Sequence, residues 1–412
     1  MLKLEKKHEE RKVQVIVATK NRAINYEANI WKSYLFHLFT GFFLISGVLI
    51  PFFLTWGKLT FFEVMLLQSY FTIMIFLFEI PCGAIADYLS RKASLFLGAL
   101  AIAIAGLIYG SIPNLFIFMI GETFFALGFA FISGTDEALV YDTLKKMERE
   151  EEMPKIMGKN KSFFLVGIGI SAPLGSILAL FVQINLIMTL MFIPFLIAAF
   201  IAISFKEPNH DLERKTKGYF SVIRSGIKEL KNNKNLRILA MDLILVEALV
   251  LFIIWMYQLY FDYLSVPLVF FGFVAASMTL SEIICTNLLP KFERHYKNKK
   301  SILTIYTLIP GIAYILIAFI FFAPIVIALV LIVIGFGFSR RIIFINGINK
   351  EIETENRATV LSTISMIGNI IRTVLYPIVG ILVMWSLNYT FIILGISVIL
   401  MALVSQVKNE HL

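Results

Sequence analysis

Three ionisable side chains inside long apolar runs are the residues of this chain most suited to chemistry. Glu122 and Glu247 each interrupt a run of about 20 apolar residues, and His37 lies about one turn inside another. A charge at the centre of a bilayer costs about 2.5–3.5 kcal/mol on insertion scales, so such residues are functional candidates by default. We predict that these three are proton-coupling residues, because each side chain can gain and lose a proton. The alternatives are a static pair with an Arg or a hydroxyl for each carboxylate, and an interfacial hydrogen bond for His37.

A second group of charged side chains lies toward the ends of apolar runs that are followed by basic loops. Its members are Glu79, Asp136, Glu137, Asp242, Glu282, Arg340 and Arg341. The two arginines lie about two turns inside an apolar run and need partners, which Glu282 and Asp242 can supply at compatible depth. Asp136 or Glu137 is expected to reach Arg91. We predict salt bridges that exchange between conformational states, the alternative being permanent ion pairs.

The elements that hold these residues are predicted to be twelve membrane-spanning helices. The 412 residues are 58% hydrophobic and 16% charged, whereas a soluble domain is about 45–50% apolar and about 25% charged. A helix needs about 20 apolar residues to cross the hydrocarbon core, and these continuous runs lack the alternation of barrel strands. The predicted spans are 32–55, 61–82, 93–112, 114–139, 161–182, 185–205, 237–261, 266–289, 300–320, 323–346, 358–383 and 387–406.

The distribution of Lys and Arg predicts the orientation of these spans. Of the 37 Lys and Arg residues, 33 lie in the tails or in connections on one side of the membrane. Because basic loops stay in the cytoplasm, both termini are expected there. The same distribution accounts for the net charge of +9 without a nucleic-acid partner. Compact loops and a composition rich in Lys, Ile and Asn favour the cytoplasmic membrane of a prokaryote.

Several classes of protein are excluded by what the sequence lacks. The two cysteines, Cys82 and Cys285, lie in separate apolar runs and form neither a disulfide framework nor a metal motif. No phosphate-binding loop appears, so ATP is not the direct energy source. The first 30 residues lack the apolar core of a signal peptide. We predict no enzymatic activity, no catalytic residues, no metal and no cofactor.

The chain divides nearly in half, and the halves resemble each other. Predicted domains are a tail at 1–31, a six-helix bundle at 32–205, a linker at 206–236, a second bundle at 237–406 and a tail at 407–412. Three pairs of features recur at offsets of about 203–207 residues: Glu79 to Cys82 with Glu282 to Cys285, Gly128 to Phe131 with Gly335 to Phe338, and Pro173 with Pro377. Such duplication places a substrate near the midplane between the halves. Chance similarity between apolar segments is the alternative.

The loop after the second predicted span carries a motif of a known family. Residues 83–92 resemble the G-x-x-x-D-R-x-G-R-K signature of the major facilitator superfamily, keeping Gly83, Asp87, Arg91 and Lys92. The sequence departs from that pattern at Tyr88 and Ser90. The resemblance implies two bundles of six helices, with Asp87 near the start of the eleventh span when one side is closed. Gly83 is expected to allow close helix packing. An ordinary basic membrane anchor is the alternative.

The resemblance also indicates which side chains line the substrate cavity. Spans one, four, seven and ten line it in this family, which gives Phe36, Met119, Phe125, Trp255, Tyr257, Gln258 and Phe344 as cavity candidates, with Arg372 from span eleven. Such a pocket suits lipophilic or amphipathic substrates. Residues 167–176 are similar to a Gly/Pro-rich antiporter motif, although its closing Gly pair is incomplete.

The resulting prediction is a monomeric secondary active transporter that works by alternating access and exports lipophilic or cationic drug-like compounds in exchange for protons. Its partners are the substrate, protons and the bilayer. Proton-coupled uptake of a small metabolite is the first alternative. A lipid scramblase without ion coupling, or a membrane sensor, is the second.

Overall fold

Twelve long apolar helices form the fold. The computed structural model describes residues 26–88, 90–208, 219–295, 298–352 and 356–412. Within these ranges the structure is helical without strands, and twelve helices are long and apolar enough to cross a membrane. The predicted all-helical class and the predicted number of spans are confirmed. The predicted tail at 1–25, part of the linker and the side chains of Asp87 and Ala358 lie outside what is described.

The twelve helices are named spans 1 to 12 in chain order. Their bounds are Tyr26–Trp56, Phe61–Tyr88, Arg91–Ser111, Leu115–Lys146, Glu150–Leu178, Ile184–Ser204, Lys234–Tyr263, Val269–His295, Lys299–Ile317, Ala323–Lys350, Arg357–Trp385 and Leu387–Val404. Spans 1–6 form the N-terminal half and spans 7–12 the C-terminal half. The basic side is where the connections 88–91, 146–150, 204–234, 295–299 and 350–357 lie, and the opposite side is the other end of the spans.

Polar residues in the connections of the basic side fix where several spans begin. The Ser90 hydroxyl accepts a hydrogen bond from Ala93 N at 3.2 Å at the start of span 3. Asn233 and Asn298 cap spans 7 and 9 in the same way. Each cap satisfies a backbone N–H that the first turn of a helix leaves without a partner.

Aromatic and aliphatic side chains cover the outside of the bundle. Phe116, Phe181, Phe200 and Phe319 are between 63% and 77% exposed. Many Ile and Leu side chains are also exposed. An apolar exterior of this extent is stable only against lipid, which agrees with a multi-pass membrane protein.

Span 1 is not a regular helix along its length. Its α-helix covers 26–40, and a 3₁₀ segment, Leu44–Val48, follows. A short α-helical turn, Leu49–Pro51, and a π-helical turn, Phe52–Trp56, complete the span. Pro51 has no N–H, so the irregular part uses fewer intrahelical hydrogen bonds than an α-helix.

The two halves pack together toward the opposite side. Small residues allow it: a Cβ atom on Gly272 of span 8 would collide with the Ala172 carbonyl of span 5, and one on Gly47 of span 1 would collide with Gly272. Span 2 meets span 11 where Gly380 faces Met65. Close approach of backbones gives dispersion contacts that lipid tails cannot supply.

A helix that is not a span, Tyr219–Asn232, lies within the segment predicted as linker. It packs on span 11, where Gly226 lies against Thr363. Leu230 is buried in the same cluster as Leu236 of span 7. This helix therefore belongs to the packed C-terminal half.

Candidate functional site

Two adjacent cavities lie where the halves meet, and Glu122, about two turns from the start of span 4, places the first of them toward the opposite side. The Glu122 cavity, of about 140 Å³, is lined by Phe43, Ile45, Leu49, Phe53, Gln68, Phe71, Tyr109, Glu122, Phe125, Phe129, Met188, Met191 and Trp255. The Gln258 cavity, of about 320 Å³, is lined by Ser46, Leu49, Ile50, Ile168, Ile254, Trp255, Tyr257, Gln258, Ala275, Met278, Thr279, Glu282, Ile334 and Phe338. Leu49 and Trp255 belong to both walls, so they separate the two spaces.

Glu122 is the one carboxylate in the wall of the Glu122 cavity. It is 5% exposed, and Gln68 Nε2 of span 2 donates a hydrogen bond to its Oε1 at 3.2 Å. The Tyr109 side chain of span 3 lines the same cavity, and its buried hydroxyl has no hydrogen-bond partner among the described residues. Within the described ranges no cation forms an ion pair with Glu122. A buried carboxylate without a cation is stable only when it is protonated or when a cationic ligand is bound.

The helical repeat of span 4 explains why Glu122 faces aromatic rings. Phe118, Phe125 and Phe129 lie four residues before, three after and seven after Glu122, and therefore on one helix face. Gly121 lets span 4 approach the Tyr109 ring, since a Cβ atom there would lie 2.5 Å from it. The packing of a glycine against a tyrosine thus brings the carboxylate and the phenol together.

Trp255 closes this region from the C-terminal half. Its ring lies 6.3 Å from that of Tyr376 on span 11, edge to face. Arg372 lies one turn before Tyr376, and its Nη2 donates to Asn369 Oδ1. The walls of the two cavities do not include Arg372, so the structure gives it no direct place in either.

The Gln258 cavity is mostly apolar with a few polar groups. Gln258, Tyr257 and Thr279 supply uncharged polar atoms, and Glu282 of span 8 supplies a carboxylate. Glu282 is exposed, unlike Glu122. Lys161 of span 5, in the other half, is near enough to attract the Glu282 carboxylate.

The two other predicted carboxylates of the C-terminal half pair with arginines of span 10. Glu247 Oε1 accepts from Arg341 Nη1 at 2.6 Å, and Asp242 Oδ1 accepts from Arg340 Nη2 at 2.5 Å. Arg340 is 1% exposed, and its guanidinium lies 4.9 Å from the centre of the Phe344 ring. Asp242, one of the two acids expected to serve these arginines, therefore pairs with Arg340. Glu247, rather than Glu282, is the partner of Arg341.

His37 pairs with Asp136 within the N-terminal half. Its Nε2 lies 3.1 Å from Asp136 Oδ2, and its Nδ1 lies 2.8 Å from the Ser33 carbonyl oxygen. Both ring nitrogens of His37 therefore contact oxygen atoms, and at least one of them donates an N–H. Glu137, the adjacent acid, is exposed.

The signature loop makes different contacts from those predicted. Arg91 Nη1 pairs with Asp142 Oδ2 at 2.8 Å, rather than with Asp136 or Glu137. The Glu207 carboxylate accepts from Arg91 N at 2.6 Å and from Lys92 N at 3.1 Å, at the start of span 3. A carboxylate is favourable there because the N-terminus of a helix carries partial positive charge.

Gly83 and Glu79 complete this loop. A Cβ atom on Gly83 would meet no atom of the described residues within 4 Å, so among them the predicted close packing at this glycine is absent. Glu79 is half-buried and interacts with neighbouring groups. The Asp87 side chain is not described, so its pairing with span 11 stays a prediction.

The remaining predicted cavity residues lie away from the cavities. Phe36 and Phe344 are buried in packed clusters beside the basic side, with 1% and 0% exposure. Met119 packs against the main core. These positions fall on the correct spans but on faces that neighbouring helices cover.

Sequence reasoning missed two residues that touch Glu122. Gln68 is a polar interruption of an apolar run, which is a readable signal. Tyr109 offered no such signal, because tyrosine is frequent in this chain and only the packing against Gly121 selects this one.

Comparison with known proteins assigns the family. The model of the family described as the Major Facilitator Superfamily matches residues 30–372, which is most of the chain. The chain belongs to the major facilitator superfamily. It is a membrane transporter, as the resemblance of residues 83–92 predicted. No curated protein sequence matches.

Solved structures of superfamily transporters have the same fold. The nucleoside transporter NupG, as its D323A mutant, has a TM-score of 0.76 at 14% identity, covering 91% of this chain and 98% of that one. A D-xylose-proton symporter has a TM-score of 0.71 at 12% identity, covering 94% and 99%. A bacterial homolog of the human lysosomal transporter Spinster, inward-facing and occupied, has a TM-score of 0.71 at 14% identity, covering 92% and 94%. At these identities the likeness establishes the fold alone.

Proposed function

We propose that this superfamily transporter exports lipophilic cations in exchange for protons. The observation that carries the proposal is Glu122, a buried carboxylate without a cationic partner in a cavity walled by aromatic rings. Aromatic faces attract cations and apolar ligands, and the carboxylate selects positive charge. The Glu122 carboxylate can thus bind either a proton or a cationic substrate.

The coupling follows from the cost of a bare carboxylate. When the halves close around the cavity, an ionised Glu122 without a partner is costly, so the closed form needs either a proton or a cationic substrate there. Each passage across the membrane then carries one or the other. The result is exchange of a cation for a proton, which needs no energy source other than the proton gradient.

The packing of the halves supports a cavity that is open to the cytoplasm. The contacts at Gly272, Gly47 and Gly380 close the opposite side. Because 33 of 37 Lys and Arg residues lie on the basic side or in the tails, that side is the cytoplasmic one by the positive-inside rule. The half-exposed Arg341, inside span 10, lies toward this open side.

We further propose that the basic side closes through charged residues. Glu282 of span 8 and Lys161 of span 5 act on each other across the halves. Approach of spans 5 and 8 would convert this long-range attraction into an ion pair. Arg340 with Asp242, and Arg91 with Asp142, stay within their halves as permanent pairs.

Uptake of a small metabolite with protons is the second candidate. Two solved relatives, the nucleoside transporter and the D-xylose-proton symporter, support it. The uncharged polar groups of the Gln258 cavity suit a hydroxyl-bearing substrate. Under this proposal Glu122 binds only the proton.

Accumulation of a fluorescent lipophilic cation in cells that express the chain tests export. We expect lower accumulation than in control cells, and we expect a protonophore to abolish the difference. Glu122→Gln should lower the rate of export at least about tenfold, since the amide carries no charge. Glu151→Gln, an exposed carboxylate in the first turn of span 5, is the matched control and should export normally.

Each result separates the candidates. Equal accumulation with and without the chain contradicts export. Proton-driven uptake of a sugar or nucleoside into vesicles, lost in Glu122→Gln, would then support the symport candidate.

A further inference from the structure

The irregular part of span 1 needs hydrogen-bond partners from outside the span. Between 44 and 51 the backbone passes from a 3₁₀ segment to a single α-helical turn that ends at Pro51. Backbone groups at membrane depth require a partner within the protein, because lipid offers none. Partners for this segment must therefore come from a neighbouring helix.

Gln258 of span 7 supplies them. Its Oε1 accepts from Ile50 N at 2.9 Å, and its Nε2 donates to the Ser46 carbonyl oxygen at 2.9 Å. Nε2 also donates to the Tyr257 hydroxyl at 2.9 Å. Gln258 is 2% exposed, so its carboxamide binds the backbone of the other half in a dry environment.

These hydrogen bonds lie between the Gln258 cavity and the helix contacts that close the opposite side. Gln258 lines the Gln258 cavity together with Ser46 and Ile50. The close contact of Gly47 with Gly272 follows directly beside it. When the opposite side opens, span 1 must move away from span 7, and both hydrogen bonds to Gln258 must break.

We propose that Gln258 is a positioning residue that holds the opposite side closed by binding the interrupted backbone of span 1. This inference rests on the proposed alternating access, but it does not depend on the identity of the substrate. The carboxamide fits because one group must donate to a carbonyl and accept from an N–H four residues further on. Loss of the two bonds should favour the form in which the opposite side is open.

Distances between spin labels on the opposite side test the proposal. Gln183→Cys, between spans 5 and 6, and Asp262→Cys, in span 7, are exposed labelling sites on different halves. The background carries Cys82→Ser and Cys285→Ser, and the full chain is measured in lipid nanodiscs without substrate. We expect Gln258→Leu to increase the population with a long distance by about tenfold, the order expected for two lost hydrogen bonds.

Two further variants make the result specific. Gln258→Glu keeps an acceptor for Ile50 N but loses the donor to the Ser46 carbonyl, so a smaller shift in the same direction is expected. Tyr257→Phe removes the bond from Gln258 and the bond that the Tyr257 hydroxyl donates to the Phe271 carbonyl oxygen of span 8. Both bonds lie within the C-terminal half, so the distances should stay unchanged. A purely structural role would lower thermal stability without changing either distance population.

The outcomes distinguish this inference from the proposed function. Unchanged distances in Gln258→Leu, or an equal shift in Tyr257→Phe, would overturn the role of Gln258 even if cations are exported. Failure of cation export would overturn the proposed substrate, while the distance measurement would still decide the role of Gln258.

Discussion

The two halves of this transporter have the same fold but treat buried charge differently. In the C-terminal half, Asp242 and Glu247 are paired with arginines at 2.5 and 2.6 Å. In the N-terminal half, Glu122 faces aromatic rings and an amide, without an ion pair among the described residues. Permanent pairs hold helices together, whereas an unpaired carboxylate is available to a proton or a ligand.

A comparison of equivalent positions in the two halves shows which residues make this difference. With the offset of 207 that relates Gly128 to Gly335, Glu122 corresponds to Leu329, which packs in the core. Tyr109 and Tyr314 are both buried in the third span of a half. Tyr314 donates to the carbonyl oxygens of Leu249 and Val250, where span 7 is interrupted, while Tyr109 lies beside Glu122. The tyrosine of the C-terminal half thus donates to backbone carbonyls, whereas the tyrosine of the N-terminal half lines the candidate site.

The largest effect is expected from breaking the buried pair of the C-terminal half. Arg340→Met should lower the free energy of unfolding by roughly 3–5 kcal/mol, because Asp242 would stay buried without its cation. Thermal unfolding in detergent, followed by tryptophan fluorescence, measures it. The double variant with Asp242→Leu should recover most of the loss. Equal instability of the double variant would show that the arginine acts through packing, for example on Phe344.

Glu122→Gln should have the reverse effect on stability. Removal of an unpaired buried carboxylate is expected to leave the free energy of unfolding unchanged or to raise it by about 1–2 kcal/mol, because the amide still accepts from Gln68. The same thermal measurement applies. A loss of stability comparable to that of Arg340→Met would mean that Glu122 has a structural partner, and the contrast between the halves would fail.

Much of the fold followed from the sequence for a simple physical reason. Runs of about 20 apolar residues admit only helices in a membrane, so the number of spans was predictable. The interruptions of spans 1 and 7 were not predictable from the sequence. The break near Phe252 contains neither proline nor glycine, and the carbonyls it exposes are satisfied by Tyr314, 64 and 65 residues away in the chain. Tertiary contacts of that kind are absent from local sequence.

The candidate site was predictable only in part. The rule that charges inside apolar runs are functional selected Glu122, which is buried and forms no ion pair among the described residues, but it selected Glu247 equally. The partner of Glu247 is Arg341, 94 residues later, and its pairing depends on which faces of spans 7 and 10 meet. Phe36 and Phe344 failed as cavity candidates for the same reason, because span number does not determine helix face.

A moderate effect is expected at the partly exposed pair of Glu247 and Arg341. Since Arg341 is 50% exposed, solvent screens the pair, and Glu247→Gln should cost about 1 kcal/mol or less. Proton-driven transport should persist in this variant, measured in vesicles with an imposed pH gradient. Loss of coupling in Glu247→Gln together with retention in Glu122→Gln would reverse the roles assigned to the two halves.

The smallest effect is expected at the starts of span 3 and span 9. In each half a side chain accepts a hydrogen bond from the first turn of the span, but one side chain is a carboxylate and the other an amide. Glu207, after span 6, accepts from the backbone of span 3, and Asn409, after span 12, accepts from Lys299 N of span 9 at 2.8 Å. Both residues follow the last span of their half, which adds a fourth correspondence to the duplication.

A negative charge at a helix N-terminus contributes about 0.3–1 kcal/mol, so Glu207→Gln should lower the free energy of unfolding by that amount and Asn409→Asp should raise it by a similar amount. Both changes should diminish at high salt, which screens these charges near the membrane surface. Thermal unfolding at low and high salt measures them. If Glu207→Gln were neutral at low salt, its side chain would act only as a hydrogen-bond acceptor, and the two halves would begin their third spans in energetically equivalent ways.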